Sequence, residues 1–143
     1  MKVIDYYQEY KEKYPEYIIF IKVGKFYEVY FEDTKLIHIL TGYKISKTQN
    51  GVEQVGFPTT SLSKVIKEIS KRKINYILIE KDEVYKIVEK KRFQRNQYSD
   101  IKQQFYDVYQ LQKRIYHIQE TLLQHIHDHN IHEVLTQIEN LYG

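Results

Sequence analysis

Apolar residues in the first two thirds of the chain follow two patterns, short β-branched runs and segments with helical spacing. The run YIIFIKV (17–23) is almost continuously apolar, as is typical of a strand buried on both faces. Gly24 and Lys25 interrupt this run and FYEVYF (26–31) follows, so the pattern predicts two antiparallel strands joined by a tight turn. Turn residues and β-branched runs predict further strands at 43–47, 54–58, 74–80 and 84–90.

Helical periodicity separates several of these strands. Acidic residues favour the first turn of a helix, a serine or threonine caps it, and a glycine often ends it. On these signals the predicted helices are 3–13, a segment from Glu32 and Asp33 to Gly42, and a segment from Thr60 or Ser61 to the basic cluster at Lys71. Strands alternating with helices predict an α/β domain over residues 1–92, with a mixed β-sheet of about six strands flanked by helices.

Residues 93–143 differ in character and predict a helical extension. Apolar residues recur three or four positions apart between Ile101 and Ile126, and again between Val134 and Leu141. The pattern predicts a long helix and a short helix, separated at the sequence HDHNI. A helix with an apolar stripe must bury it, so this tail either folds back on the sheet or pairs with another copy. We expect the tail to be a dimerisation element that forms a homodimer through the C-terminal helices.

Composition narrows the functional classes. The chain has 143 residues, which is room for one domain with an appended segment. It has no cysteine, which excludes disulfides, thiolate zinc sites and cysteine nucleophiles. The net charge of +3 is compatible with a polyanionic partner, and a solvated surface is the alternative explanation of the basic clusters. No signal peptide or membrane-spanning run is present, so we expect a cytoplasmic protein without a membrane partner.

Four histidines and an aspartate in QHIHDHNIH (124–132) raise two alternatives. The cluster His125–His132 either binds a metal such as zinc or forms a polar turn between helices, and we favour the turn because a histidine-rich tract is only compositional evidence. The sequence contains no paired catalytic carboxylates, nucleophile elbow or glycine-rich loop. We therefore predict that the chain is not an enzyme and needs no metal or cofactor.

Two stretches resemble a known family. IIFIKVGKFYEVYFEDTKL and QVGFPTTSLSKVIKEISKRKINYILIEK are similar to the mismatch-recognition domain of MutS DNA mismatch-repair proteins, in the same order and with similar spacing over residues 4–88. Within ten positions the family pattern is matched by Gly24, Phe26, Tyr27, Glu28, Glu32 and Asp33. The sequence departs from the family at Lys25, where an acidic residue is common, and at Thr59 and Thr60, where a Tyr-His pair is usual.

The resemblance implies roles for several residues. The family recognises mispaired DNA with a phenylalanine and a glutamate two positions apart, which correspond to Phe26 and Glu28. An apolar wedge unstacks a weakly paired step, and the carboxylate then accepts a hydrogen bond from a displaced base. Gly24 lets the backbone turn close to the groove, and Tyr27 is expected to face the core. Candidate phosphate contacts are Lys22, Lys25, Lys44, Lys47, Arg72 and Lys73.

These expectations define two functional hypotheses. The first is a free-standing, nucleoid-associated module that recognises mispaired or distorted double-stranded DNA, without ATPase activity because no GxxxxGK[ST] motif is present. The alternative is a protein-interaction or regulatory module that keeps the fold and modulates a full-length mismatch-repair protein or another partner.

Overall fold

A computed structural model describes residues 2–143 and has the predicted α/β fold, a six-stranded mixed sheet with helices and a C-terminal helical extension. The helices are α1 (Val3–Lys13), α2 (Asp33–Thr41), α3 (Leu62–Lys71), α4 (Tyr98–Gln124) and α5 (Ile131–Tyr142). The strands are β1 (Ile18–Val23), β2 (Phe26–Tyr30), β3 (Ser46–Lys47), β4 (Glu53–Pro58), β5 (Tyr76–Lys81) and β6 (Tyr85–Lys91).

The strand order of the sheet is β3-β4-β2-β1-β5-β6. β1 pairs antiparallel with β2 and parallel with β5, and the other neighbours are antiparallel. Because β1 has a neighbour on each side and helices cover the sheet, its residues Ile18 to Ile21 are all buried. The continuous apolar run in the sequence therefore does mark a strand buried on both faces.

Helices pack on both faces of the sheet. On one face, the ring of Tyr7 in α1 meets the ring of Tyr30 in β2 edge-on, with 5.2 Å between centroids. On the other face, Phe57 of β4 lies 5.9 Å from the ring of Phe20, and the ring of Tyr43, which follows α2, stacks on Phe57. Each face of the sheet thus has its own group of packed aromatic rings, and both groups belong to one hydrophobic core.

Two local predictions were wrong in detail. Only Ser46 and Lys47 of the predicted strand 43–47 join the sheet, because Tyr43 is held against Phe57 and its carbonyl oxygen lies 2.7 Å from His38 Nδ1. Ser61 occupies the N-cap position of α3, but its side chain makes no capping hydrogen bond within residues 2–143. A short 3₁₀ helix, Thr59–Ser61, leads into α3 instead.

The chain forms two compact units. The sheet unit ends at Tyr106, and the tail unit comprises Asp107–Gly143. α4 begins in the first unit, where its Tyr98 is buried, and ends in the second. The division between residues 92 and 93 that the sequence suggests stays a prediction. Between residues 2 and 143, no helix combines the length and the apolar character needed to cross a membrane.

Candidate nucleic-acid interface

The turn between β1 and β2 determines where Phe26 lies. Gly24 has φ +60°, a left-handed conformation that side chains disfavour, and a Cβ there would meet no heavy atom within 4 Å. The requirement for glycine is therefore conformational rather than steric. The Lys25 carbonyl accepts a hydrogen bond of 2.9 Å from the Thr59 backbone N–H, which ties the turn to the 3₁₀ helix after β4.

Phe26 is the first residue of β2 and is 48% exposed, whereas Tyr27 beside it is 4% exposed. Successive strand side chains point to opposite faces, so Tyr27 packs in the core and Phe26 is about half exposed to solvent. The cross-strand neighbours of Phe26 are Val23 and Pro58, and no ring-to-ring contact involves it among the described residues. The expectation that Tyr27 faces the core is met, and the side chain of Phe26 is accessible.

Glu28 lies two positions further along β2, on the same face as Phe26 and about 7 Å from it along the strand. One oxygen of its carboxylate, Oε2, accepts a hydrogen bond from the Tyr30 hydroxyl. Burial is the main reason that the pKa of Tyr30 is raised, and this hydrogen bond raises it further. The Tyr30 hydroxyl is therefore protonated at neutral pH and can donate. Gly56 is the cross-strand partner of Glu28, and it leaves the carboxylate with no facing side chain on β4.

One of the predicted phosphate contacts lies in this turn. Lys25 is in the turn itself and is exposed. Lys44 is also exposed and follows Tyr43, whose ring stacks on Phe57, the cross-strand partner of Tyr27. The structure therefore brings Gly24, Lys25, Phe26 and Glu28 together at one end of the sheet, whereas Lys44 follows a tyrosine that packs on the face opposite Phe26.

Lys22 and Lys47 lie elsewhere. Lys22 is the cross-strand partner of Tyr27, so it points to the face opposite Phe26, and its Nζ is 3.1 Å from Glu80 Oε1. Burial and the nearby Glu80 raise the pKa of Tyr27 to about 12, which agrees with a carboxylate on this face. Lys47 is the cross-strand partner of Glu53, which lies at the end of β4 remote from Pro58.

Arg72 and Lys73 are further still from Phe26. They follow α3 and precede β5, whose first residue, Tyr76, pairs with Ile18 at the start of β1. Phe26 pairs with Val23 at the other end of β1, about 16 Å away along the strand. The structure thus places Arg72 and Lys73 at the end of the sheet away from Phe26, and their role as phosphate contacts stays a prediction.

A buried cluster around Asp33 was not recognised from the sequence as a unit. Asp33 is 2% exposed; its Oδ2 lies 2.7 Å from Lys11 Nζ, and its Oδ1 accepts a hydrogen bond of 2.6 Å from the Tyr98 hydroxyl. Desolvation lowers the pKa of Lys11, against the effect of Asp33, which raises it. Burial and the same carboxylate raise the pKa of Tyr98. The cluster joins α1, α2 and the start of α4, and its members are too far apart in sequence to form a motif.

Tyr30 and Thr59 are the residues that sequence reasoning missed at the candidate interface. The spacing of Glu28 and Tyr30, two apart on a strand, was the available signal, because it places both on one face.

In the histidine-rich segment, His125 Nδ1 lies 2.7 Å from Asp128 Oδ2. Within residues 2–143, no three His, Cys, Asp or Glu side chains converge in a way that could hold a metal ion.

Comparison with known proteins gives a consistent family. Residues 1–96 match the family described as MutS domain I. The DNA mismatch repair protein MutS of Chlorobium phaeobacteroides is 30% identical over 99 residues, which are 66% of this chain and 11% of that protein. The same-named protein of Leptospira interrogans is 32% identical over 59 residues, 41% of this chain and 7% of its own length. The chain spans about a tenth of these relatives, and its family match covers most of the sheet unit. The chain therefore belongs to the MutS domain I family.

Proposed function

We propose that the chain binds duplex DNA at mispaired or distorted steps, with Phe26 as the inserted side chain and without catalysis or a cofactor. The observation that carries the proposal is the exposure of Phe26, 48%, on the same sheet face as Glu28 and directly after the left-handed Gly24. Burial in the core does not account for a large apolar residue that is about half exposed. Its family relatives are mismatch-repair proteins, which makes DNA the partner that we propose.

Insertion favours a mispair for an energetic reason. Unstacking a base step costs a few kcal/mol, and the cost is lowest where pairing is already weak. The ring of Phe26 replaces part of the lost stacking, so the net free energy of insertion is more favourable at a defective step. A perfectly paired step keeps the full cost, and the same ring then gains little.

Glu28 adds a second criterion. A carboxylate near phosphates is repelled unless a base offers it a hydrogen-bond donor, so it favours displaced bases that carry one. The hydrogen bond from Tyr30 to Oε2 orients the group and leaves Oε1 and the remaining lone pairs as acceptors. Lys25, which is exposed in the turn beside Phe26, would offset the repulsion by contacting the phosphate backbone of the DNA.

The test is a comparison of two duplexes, one perfectly paired and one with a mismatch or an unpaired base, titrated at several salt concentrations. We expect wild-type chain to prefer the defective duplex, and Phe26→Ala to remove that preference by weakening defect binding about 10-fold, since one base-aromatic stack contributes about 1–3 kcal/mol. Binding to the perfect duplex should change little, because that binding comes from phosphate contacts.

Val84→Ala is the matched control, because Val84 is an apolar residue of the sheet unit that is 70% exposed and lies in the β5–β6 connection. This variant should keep the preference of the wild type. Equal binding of both duplexes by the wild type, at every salt concentration, would contradict the proposal. So would a loss of preference in Val84→Ala as large as that in Phe26→Ala.

We also propose that the tail unit mediates homodimerisation. Large apolar residues on α4 are 40–54% exposed at three- and four-residue spacing, which places them on one face: Val108, Leu111, Ile115 and Ile118. An exposed apolar stripe of this length is a typical protein-interaction surface. Two linked modules would also bind DNA more tightly through effective concentration, and such binding would associate the chain with the nucleoid.

Sedimentation equilibrium tests the tail. The double variant Leu111→Gln/Ile118→Gln should sediment as a monomer at concentrations where the wild type is a dimer, because it replaces two of the four apolar residues of the stripe. Tyr116→Gln, which changes a 60% exposed residue outside the stripe, should remain dimeric. A monomeric wild type would contradict homodimerisation and leave the stripe for the alternative partner that we propose, a full-length mismatch-repair protein.

A further inference from the structure

The end of the sheet opposite Phe26 has a cluster of cations. We call it the basic end and define it by five exposed residues of the sheet unit: Lys73, Lys90, Lys91, Arg92 and Arg95. Lys91 and Lys90 pair with Tyr76 and Ile77 at the start of β5. Lys73 lies two residues after the end of α3, and Arg92 and Arg95 lie one and four residues after the end of β6. From Lys90 to Gln97 the chain contains four cations and no acidic residue.

The segment that follows β6 is held in place by hydrogen bonds. Asn75 is buried; its Oδ1 accepts a 2.7 Å bond from the Phe93 N–H, and its own N–H donates to Asn96 Oδ1 at 3.0 Å. Asn96 Nδ2 in turn donates to the Glu16 carbonyl at 2.9 Å. The Gln97 N–H donates to the Lys73 carbonyl at 3.0 Å. The backbone that presents Arg92 and Arg95 is thus anchored to the sheet rather than a loose loop.

The cations of the basic end are oriented but not neutralised. Lys90 Nζ lies 4.5 Å from the ring centre of Tyr14 and 5.5 Å from that of Tyr17, and Lys91 Nζ lies 5.3 Å from that of Phe93. Among residues 2–143, no member of the basic end forms an ion pair with a carboxylate. An aromatic ring attracts an ammonium without cancelling its charge, so the positive potential remains available to an outside partner.

We infer that the basic end is a second DNA-contact surface, which binds the phosphate backbone of duplex DNA and does not depend on a mismatch. It lies about 16 Å from Phe26 along the strands and, on β6, about 14 Å across them from β2, so the two surfaces make separate contacts. Lys90 is in the edge strand β6 and Arg92 directly follows it, so the two cations are two residues apart. Cations at such regular spacing can contact neighbouring phosphates along a DNA strand. The inference rests on the proposed function only for the choice of DNA as the polyanion.

The test uses the full chain and a perfectly paired duplex, with affinity measured over a series of salt concentrations. The variant Lys90→Gln/Arg92→Gln should lower the slope of log K against log salt by about 1.8 units, since each phosphate contact contributes about 0.9. Its ratio of mismatched to perfect affinity should stay within about twofold of the wild-type ratio, because phosphate contacts act on both duplexes alike. An unchanged urea midpoint would show that the variant is folded.

Lys113→Gln/Arg114→Gln is the matched control, because it removes one lysine and one arginine from the tail unit and lowers net charge equally. Equal slopes for the two variants would overturn the inference, as would binding of the wild type to vesicles of anionic phospholipid but not to DNA. If the wild type shows no mismatch preference while the Lys90/Arg92 variant still loses slope, the inference stands and the proposed function fails. If instead the wild type prefers the mismatched duplex and the Lys90/Arg92 variant keeps the wild-type slope, the proposed function stands and the inference fails.

Discussion

Replacing Asp33 with alanine should lower the free energy of unfolding by about 3 kcal/mol, the lower end of the range for removing one partner of a buried ion pair, because the Lys11 side chain is still 25% exposed. Lys11 Nζ makes three contacts of 2.7 to 2.9 Å, to Asp33, the Tyr17 carbonyl and the Tyr98 hydroxyl. Without the carboxylate, the partly buried Lys11 ammonium loses the one ionic partner among these three contacts, and the Tyr98 hydroxyl loses its acceptor. Urea unfolding followed by circular dichroism would measure the loss.

Asp82→Ala is the control for this prediction. Asp82 also pairs with a lysine, Lys86 at 3.1 Å, but the two side chains are 69% and 54% exposed. An exposed pair four residues apart contributes about 0.5 kcal/mol or less, so the variant should be nearly as stable as the wild type. Similar losses for both aspartates would show that the cluster around Asp33 does not anchor α1, α2 and α4.

Phe57→Ala should destabilise the sheet unit by about 3–5 kcal/mol, the range for truncating a buried phenylalanine. Phe57 is fully buried in β4, and its ring lies 5.9 Å from Phe20, 6.2 Å from Tyr27 and 5.7 Å from Tyr43. Truncation leaves a cavity between three aromatic rings that cannot all move into it. The same urea experiment measures the change.

Phe26→Ala is the counterpart on the neighbouring strand. Its ring is half exposed, so truncation removes little packing, and a loss below about 1 kcal/mol is expected. This result matters for the DNA experiment, since a folded Phe26→Ala variant cannot lose mismatch preference by unfolding. A loss as large as that of Phe57→Ala would make Phe26 a packing residue and remove the basis for insertion.

Local sequence was sufficient for the hairpin and for the two aromatics in it. Alternation in a strand determines that Phe26 and Tyr27 face opposite ways, and Gly24 marks the turn. The same alternation also placed Lys22 on the face of Tyr27, since a two-residue turn pairs residue 23 with 26 and residue 22 with 27. The sequence alone therefore indicates that Lys22 lies on the face opposite Phe26 and is not its neighbour.

Long-range pairing could not be read in the same way. The parallel pairing of β1 with β5 determines that Lys73 lies at the end of the sheet away from Phe26, and no local signal specifies which strands become neighbours. The Asp33 cluster likewise depends on residues 11, 33 and 98 meeting after the sheet has formed. Both cases are tertiary contacts between segments whose own patterns are satisfied separately.

The order of the strands also affects how the chain folds during its synthesis. β1 and β2 can pair as soon as residue 30 emerges from the ribosome, but the second edge of β1 must wait for β5, which ends at Lys81. Until then an apolar strand has unsatisfied backbone groups along one side, and a nascent chain in that state is prone to pair with its neighbours. Translation speed across residues 31–81 therefore sets how long the chain is exposed to aggregation.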